Sequence, residues 1–217
     1  MKLVNLHSHF SLPENQLGLV NHSILLPFRP QKGQLYSVGL HPWDLDAIKG
    51  TSWLLQLEQL LQHPQVMAIG ECGIDRHLET AVDQQTELFL AQAELAEKHS
   101  KPMILHAVRS YADLLQLKKQ RADAPPWILH GYQGNKQTTE QLVRYNFHFA
   151  IGAALLKNQE KLNRSLAAIP RRQLFFETDE SSVNIESIYI FAAKLLNIPL
   201  PTLCKQVFNN YQQIFER

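Results

Sequence analysis

Residues 3–9, LVNLHSH, form a mostly apolar run that ends in two histidines. In an extended strand, side chains two positions apart point to the same face, so His7 and His9 can reach one shared point. The side chains between them point to the opposite face, which is the pattern of a buried strand with packing behind it. The stretch therefore predicts a buried strand that carries polar chemistry at its carboxyl end.

Apolar runs rich in Val, Ile, Leu and Phe recur along the chain and predict further strands. They lie at 23–27, 35–41, 66–72, 102–106, 127–130, 147–152 and 173–179. Segments with apolar residues at three- and four-residue spacing predict helices. These lie at 52–62, 80–99, 110–121, 137–145, 159–168, 186–197 and 202–215. Buried strands that alternate with amphipathic helices predict an α/β fold, a (β/α)8 barrel, with an open doubly wound sheet as the alternative.

The first third of the chain departs from this alternation. Pro13, Pro27 and Pro30 disfavour helix interiors, and the links between the first three predicted strands are short. We therefore expect a distorted TIM barrel in which the crossover helices after the first two strands are reduced or missing. The helical segment at 202–215 is expected to fold back over the side of the barrel that these helices leave bare.

Composition narrows the class of protein. The 217 residues are 45% hydrophobic and 19% charged, which fits one globular domain across 1–217. The formal net charge of +1 gives no broad basic surface, so local groups must hold any anionic substrate. We expect a cytoplasmic protein without membrane association, because no apolar stretch approaches about 18 residues and the start lacks a signal-peptide pattern.

Polar side chains stand at the carboxyl ends of six predicted strands, where a (β/α)8 barrel places its active site. They are His9, His41, Glu71, His106, His130 and Asp179, and His7 joins them from the first strand. Burying polar groups without partners costs about 1 to 3 kcal/mol each, so a divalent metal is the simplest partner. Imidazole and carboxylate without thiolate suit Mg, Mn, Zn, Ni, Fe or Co. Two ions about 3.5 to 4 Å apart, bridged by Glu71, fit this ligand set better than one.

Other catalytic chemistries lack their motifs. The chain carries no GxSxG elbow and no glycine-rich phosphate loop. The segment GECGID at 70–75 has too few glycines for a dinucleotide fingerprint. Serine-nucleophile and dinucleotide-cofactor chemistry are therefore excluded.

Six ordered motifs resemble those of the TatD-like metal-dependent hydrolases. They are HSH at 7–9, GLHPW at 39–43, IGECGID at 69–75, PMILHAVR at 102–109, LHGYQG at 129–134 and FFETDES at 176–182. The resemblance spans nearly the whole chain and extends to NYQQIF at 210–215. It implies a distorted TIM barrel with a binuclear divalent-metal centre. Characterised members of the family include nucleases that remove nucleotides from DNA 3′ ends, so the resemblance also implies nuclease activity.

The resemblance also implies a role for each matching residue. One ion would be held by His7, His9 and Asp179 and the other by His106 and His130, with Glu71 shared between them. His41 and Arg109 would face the scissile phosphate. Arg109 suits this role because its guanidinium offers a planar pair of donors to phosphate oxygens. The alternative for Arg109 is a surface salt bridge at the start of the following helix. Asp179 would also take the proton of the attacking water, and Asp75 would lie behind the ligands or cap the next helix.

Three features depart from the family pattern. Asn5 stands where the family commonly has Asp, Glu180 and Ser181 follow the ETD motif, and the segment 10–35 is shorter. The sequence predicts a binuclear metal-dependent hydrolase of phosphodiester bonds, a 3′-exonuclease-like DNase with DNA as its substrate, and a monomer rather than a dimer. The alternatives are an amidohydrolase or esterase acting on a small molecule or an aminoacylated RNA, and a catalytically silent metal-binding scaffold.

Overall fold

The computed structural model describes residues 2–48 and 50–216. Its strands are β1 (Leu3–Ser8), β2 (Gln16–Ser23), β3 (Tyr36–Gly39), β4 (Val66–Asp75), β5 (Met103–Val108), β6 (Trp127–Leu129), β7 (His148–Ile151) and β8 (Leu174–Phe176). Its α-helices are α1 (Ser52–Leu61), α2 (Val82–Lys98), α3 (Tyr111–Lys119), α4 (Lys136–Arg144), α5 (Glu160–Ala168), α6 (Ile185–Leu195) and α7 (Leu200–Phe215). Every predicted helix is present, with small shifts at its ends.

The strands form one sheet of eight whose order follows the chain from β1 to β8. Pairing is parallel between β2 and β3, β3 and β4, β4 and β5, and β7 and β8. A parallel bridge also joins Ser8, the last residue of β1, to Asp179, which follows β8. A parallel sheet in chain order whose first and last strands meet has the topology of a (β/α)8 barrel, so the predicted fold class is confirmed.

The second strand lies earlier in the chain than the sequence predicted. It occupies Gln16–Ser23 rather than 23–27, and the apolar run that was predicted to form it begins a turn in which Leu25 and Leu26 are exposed. The reason is the close approach of β2 to β1: a Cβ on Gly18 would lie 1.7 Å from the Asn5 carbonyl oxygen. A strand that needs glycine at this contact lacks the continuous apolar run by which strands are recognised.

The two short links behave as predicted. Residues 9–15 and 24–35, all of which are described, contain no helix. The crossovers after β1 and β2 are therefore made by extended and turn segments.

The chain divides into two compact units, Met1–Leu19 with Leu129–Arg217, and Val20–Ile128. The prediction of one domain across the chain stays a prediction.

In the first unit, α6 and α7 cover β1 and β8. The Tyr189 hydroxyl of α6 donates to the Val4 carbonyl at 2.8 Å, and α7 packs against β1 and β8. Asn210 of α7 is buried and donates to the carbonyls of Arg171 and Leu174 at 2.7 and 2.9 Å.

In the described ranges no single helix is long and apolar enough to cross a membrane. The helices α6 and α7 meet the length and composition of a membrane span only as a pair, which is bent by 112° at the break between them.

In the second unit, α2 fixes the backbone on which site residues stand. Gln85 accepts from the Asp75 N–H at 2.8 Å and donates to the Asp75 carbonyl at 3.0 Å. Gln92 makes the same pair of contacts with Leu40, the residue before His41, at 2.8 and 3.2 Å. Both glutamines are buried, so they hold the carboxyl ends of β3 and β4 in place.

Candidate metal centre

One group of ligand-type side chains gathers in the first unit, where β1 and β8 end. His7 Nε2 and His9 Nε2 lie 3.6 and 3.4 Å from Asp179 Oδ1. The backbone holds this arrangement, because the Asp179 N–H donates to the His7 carbonyl and the His9 N–H donates to the Asp179 carbonyl. One ligand atom from each of the three lies within 4.8 Å of the others, so these residues could share one cation.

A second group lies in the other unit and contains His41, Glu71 and His106. Glu71 Oε1 lies 3.4 Å from both His41 Nε2 and His106 Nδ1. Glu71 and His106 sit inside their strands rather than at the ends, because β4 and β5 continue to Asp75 and Val108. The sequence analysis placed these strand ends a few residues too early.

Asn21 on β2 orients Glu71, and the sequence analysis did not single it out. Its side-chain amide donates to Glu71 Oε2 at 3.0 Å and accepts from the Glu71 N–H at 2.9 Å. Glu71 is 5% exposed, so the contact is held away from solvent. Asn21 therefore occupies one carboxylate oxygen and leaves Oε1 facing the two histidines.

Asp75 determines which nitrogen of His106 is available to a metal. Asp75 Oδ2 lies 3.1 Å from His106 Nε2, and the carboxylate is ionised. Burial acts to raise the pKa of Asp75, but hydrogen bonds from Trp43, the His77 N–H and His106 outweigh it and lower the pKa. A carboxylate can only accept, so the neutral ring carries its proton on Nε2 and its lone pair on Nδ1.

The lone pair of His106 Nδ1 then faces Glu71 Oε1 across 3.4 Å. Two acceptors at this distance repel unless a proton or a cation lies between them. Burial acts to lower the pKa of His106, but Glu71 and Asp75 outweigh it, and the pKa is raised. The contact therefore has the chemistry of a cation site.

His41 has the opposite proton arrangement. Its Nδ1 accepts the backbone N–H of Trp43 at 3.1 Å, so the neutral ring carries its proton on Nε2, toward Glu71. His41 thus presents a donor where His106 presents a lone pair. This difference favours His41 as a contact to an anion and His106 as a metal ligand, as the family resemblance implied.

Comparison with known proteins decides the family. The model of the family described as TatD related DNase matches residues 26–216. The chain belongs to this family. The resemblance seen in the six sequence motifs is therefore confirmed.

Individual TatD-family proteins are similar to this chain over different shares of their length. YabD of Bacillus subtilis, an uncharacterized metal-dependent hydrolase, is 33% identical over 147 residues, 66% of this chain and 57% of YabD. The 3′-5′ ssDNA/RNA exonuclease TatD of Klebsiella pneumoniae is 30% identical over 151 residues, 66% of this chain and 56% of that protein. The matched segment thus spans little more than half of these two relatives.

A solved structure of a TatD homologue confirms the fold over nearly the whole chain. The crystal structure of YjjV from Escherichia coli has a TM-score of 0.85 and 21% sequence identity, and the match covers 99% of this chain and 98% of that one. In sequence, YjjV is 26% identical over 197 residues, 82% of this chain and 75% of YjjV.

Asn5, where this chain departs from the TatD pattern, holds the segment that carries Asp179. Its amide donates to Thr178 Oγ1 at 2.9 Å and to Gln16 Oε1 at 3.0 Å, and its Oδ1 accepts from the Thr178 N–H at 2.8 Å. An ionised Asp could accept from Thr178 but could not donate to Gln16. The amide thus ties the ETD segment to β1 and β2 together.

Glu177, the Glu of the ETD motif, is a second residue that the sequence analysis did not single out. It is fully buried, and its Oε1 accepts the Gly131 N–H and lies 3.8 Å from His130 Nδ1. Burial raises the pKa of Glu177, although His130 and His7 act to lower it. The His130 ring lies 4.6 Å from that of His7, so Glu177 helps hold His130 beside the first group.

Arg109 follows β5 and is exposed, in a left-handed backbone conformation with φ of 54°. The following residue, Ser110, anchors the turn by donating to the Ile74 carbonyl at 2.6 Å. The surface ion pair of this region is formed instead by Arg76, which binds Asp113 through two contacts of 2.7 Å. Across residues 2–48 and 50–216, the Arg109 guanidinium makes no ion pair and stays available to an anionic ligand.

Proposed function

We propose that this TatD-family chain is a metal-dependent hydrolase that cleaves phosphodiester bonds at the end of single-stranded DNA, as a 3′-exonuclease does. The observation that carries the proposal is the 3.4 Å approach of His106 Nδ1 to Glu71 Oε1, with the Asp75 carboxylate on the other ring nitrogen of His106, beside His41, whose Nδ1 accepts the Trp43 N–H. The first arrangement fits a cation and the second fits an anion. Relatives named as 3′-5′ ssDNA/RNA exonucleases support nucleic acid as the substrate.

The ligand set fits divalent cations. One ion would be held by His7, His9 and Asp179. A second would contact His106 and Glu71. The family resemblance implies that His130 is a further ligand of this second ion. All are imidazole or carboxylate donors, which suit Mg, Mn, Zn, Ni, Fe or Co. When bound, the ions supply activation of a water molecule and charge stabilisation at the phosphoryl group.

The residues around the ligands would orient the substrate. The Nε2–H of His41, which faces Glu71 Oε1 at 3.4 Å, and the guanidinium of Arg109 would donate to phosphate oxygens brought beside Glu71. Asp179 would accept the proton of the attacking water, and its side chain, 37% exposed in the segment after β8, leaves the carboxylate open to solvent on one side. Asn21 and Asp75 would hold Glu71 and His106 in the orientation that ligation needs.

Metal content and substrate preference test this proposal together. Wild-type protein loaded with Mn²⁺ should bind close to two ions per chain and shorten single-stranded DNA from its 3′ end. Glu71→Gln and His106→Ala should lower the bound metal and abolish hydrolysis while the circular dichroism spectrum stays native. His99→Ala, a histidine at the end of α2, is the control and should behave as wild type.

Two results would reject the proposal. Absence of bound metal at saturating Mn²⁺ or Zn²⁺ would leave a protein without the proposed chemistry. Metal binding with turnover of amide or carboxylic ester substrates, and none of phosphodiesters, would favour the amidohydrolase alternative. The cytoplasmic location and the monomeric state stay predictions, which fractionation and light scattering can test.

A further inference from the structure

Trp43 is exposed next to the second ligand group. Its exposed fraction is 66%, whereas Trp53 and Trp127 are buried at 6% and 0%. A single exposed aromatic residue is common on protein surfaces and by itself indicates nothing. What distinguishes Trp43 is the way in which it is held.

The indole is fixed by site residues. Its Nε1–H donates to Asp75 Oδ2 at 2.8 Å, and Asp75 is itself 3% exposed. The ring also packs edge to face with His41 and His106, at centroid distances of 4.9 and 5.9 Å. Trp43 is therefore an ordered aromatic surface beside the phosphate donor of His41, and little side-chain entropy remains to be lost when a ligand packs on it.

We propose that Trp43 forms a nucleobase-binding subsite, on which the base of the terminal nucleotide stacks while its phosphate contacts His41. The inference rests on the proposed function and adds a residue that recognises the base. Every base offers an aromatic face, so such a surface binds single strands with little sequence preference. In a duplex the same faces are covered by neighbouring base pairs, so the subsite selects unpaired ends.

Trp43 also contacts Asp75, so a supporting role must be separated from a stacking role. If the indole N–H mainly holds Asp75 against His106, both Trp43→Phe and Trp43→Ala will weaken metal binding, because neither retains the donor. If the indole mainly stacks on a base, Trp43→Phe will keep most of the DNA affinity and Trp43→Ala will lose it. The two substitutions therefore give different patterns in two separate measurements.

The test uses oligonucleotides with cleavage-resistant phosphorothioate linkages, with and without a base on the terminal nucleotide. Fluorescence anisotropy gives the Kd of each for wild type, Trp43→Phe, Trp43→Ala and the control Leu55→Ala, whose side chain is 66% exposed on α1. Removing the terminal base should weaken wild-type binding by about five- to a hundredfold, the range for one base stacked on an aromatic side chain. Trp43→Ala should bind both oligonucleotides with the same weakened Kd, and Leu55→Ala should match wild type.

Intrinsic fluorescence and metal titration complete the experiment. Binding of the oligonucleotide that carries its terminal base should quench wild-type tryptophan emission. The quenching should vanish in Trp43→Phe, which retains only the two buried tryptophans. The inference is overturned if wild type binds both oligonucleotides equally, or if both Trp43 variants lose Mn²⁺ affinity by similar factors. Wild type that neither binds nor cleaves single-stranded DNA would instead refute the proposed function itself.

Discussion

Replacing Asp75 with Asn should weaken metal binding while leaving the fold intact. Asp75 is 3% exposed and accepts from both Trp43 Nε1 and His106 Nε2. Asn keeps the shape and can still accept from the indole, but its neutral amide no longer polarises His106. It can also donate to Nε2, which would place the ring proton on Nδ1, where the metal is expected.

The size of the effect follows from this contact. A hydrogen bond from His106 to a buried carboxylate contributes about 1.5 to 3 kcal/mol. Loss of a carboxylate behind a metal-bound histidine typically costs about 10- to 100-fold in affinity, which corresponds to about 1.4 to 2.7 kcal/mol. The two estimates agree, so the Kd for Mn²⁺ or Zn²⁺ should rise by one to two orders of magnitude.

Calorimetric titration of metal into Asp75→Asn and wild type checks this prediction. Asp113→Asn is the matched control, because it removes a carboxylate of the same unit whose partner is Arg76 on the surface. The pH adds a second check: Asp75 helps to raise the pKa of His106, so its removal reduces competition from protons. The loss of affinity should therefore be smaller below the pKa of His106 than above it. Equal metal affinity of Asp75→Asn and wild type above pH 7 would refute the role of Asp75.

Three further substitutions test the packing that positions the site. Burial lowers the pKa of Lys118 from 10.5 to about 8, so between these pH values the unfolded chain binds more protons than the folded protein. As the pH rises across that window, the free energy of unfolding of wild type, measured in urea, should therefore increase by about 3 kcal/mol relative to that of Lys118→Met. Asn210→Ala removes the side-chain donor to the Arg171 and Leu174 carbonyls and should lower the free energy of unfolding by about 1 to 3 kcal/mol in the same assay. Gly18→Ala places a methyl group 1.7 Å from the Asn5 carbonyl oxygen and should lower the melting temperature, whereas Gly152→Ala, whose added Cβ would meet nothing closer than 3.6 Å, should have a much smaller effect. Equal melting temperatures for the two glycine variants would contradict the close approach of β1 and β2.

The sequence by itself determined the fold class and predicted the candidate ligands. The spacing of apolar residues depends on local geometry, because a strand repeats every two residues and a helix about every 3.6. The alternation of the two patterns therefore predicted a (β/α)8 barrel, and the histidines and carboxylates near strand ends predicted the candidate metal centre. The same reasoning failed for β2, where Gly18 interrupts the apolar pattern because the backbone of β1 passes too close for a side chain.

Only the tertiary structure decided what each site residue can do. His41 and His106 are both histidines near strand ends, yet one turns a proton toward Glu71 and the other a lone pair. The difference comes from their partners, a backbone N–H for His41 and the Asp75 carboxylate for His106. Those partners are set by the register of packed elements rather than by spacing along the chain. The pairing of Asn21 on β2 with Glu71 on β4, 50 positions apart, has the same origin, because a side-chain hydrogen bond between strands separated by β3 depends on how the sheet packs.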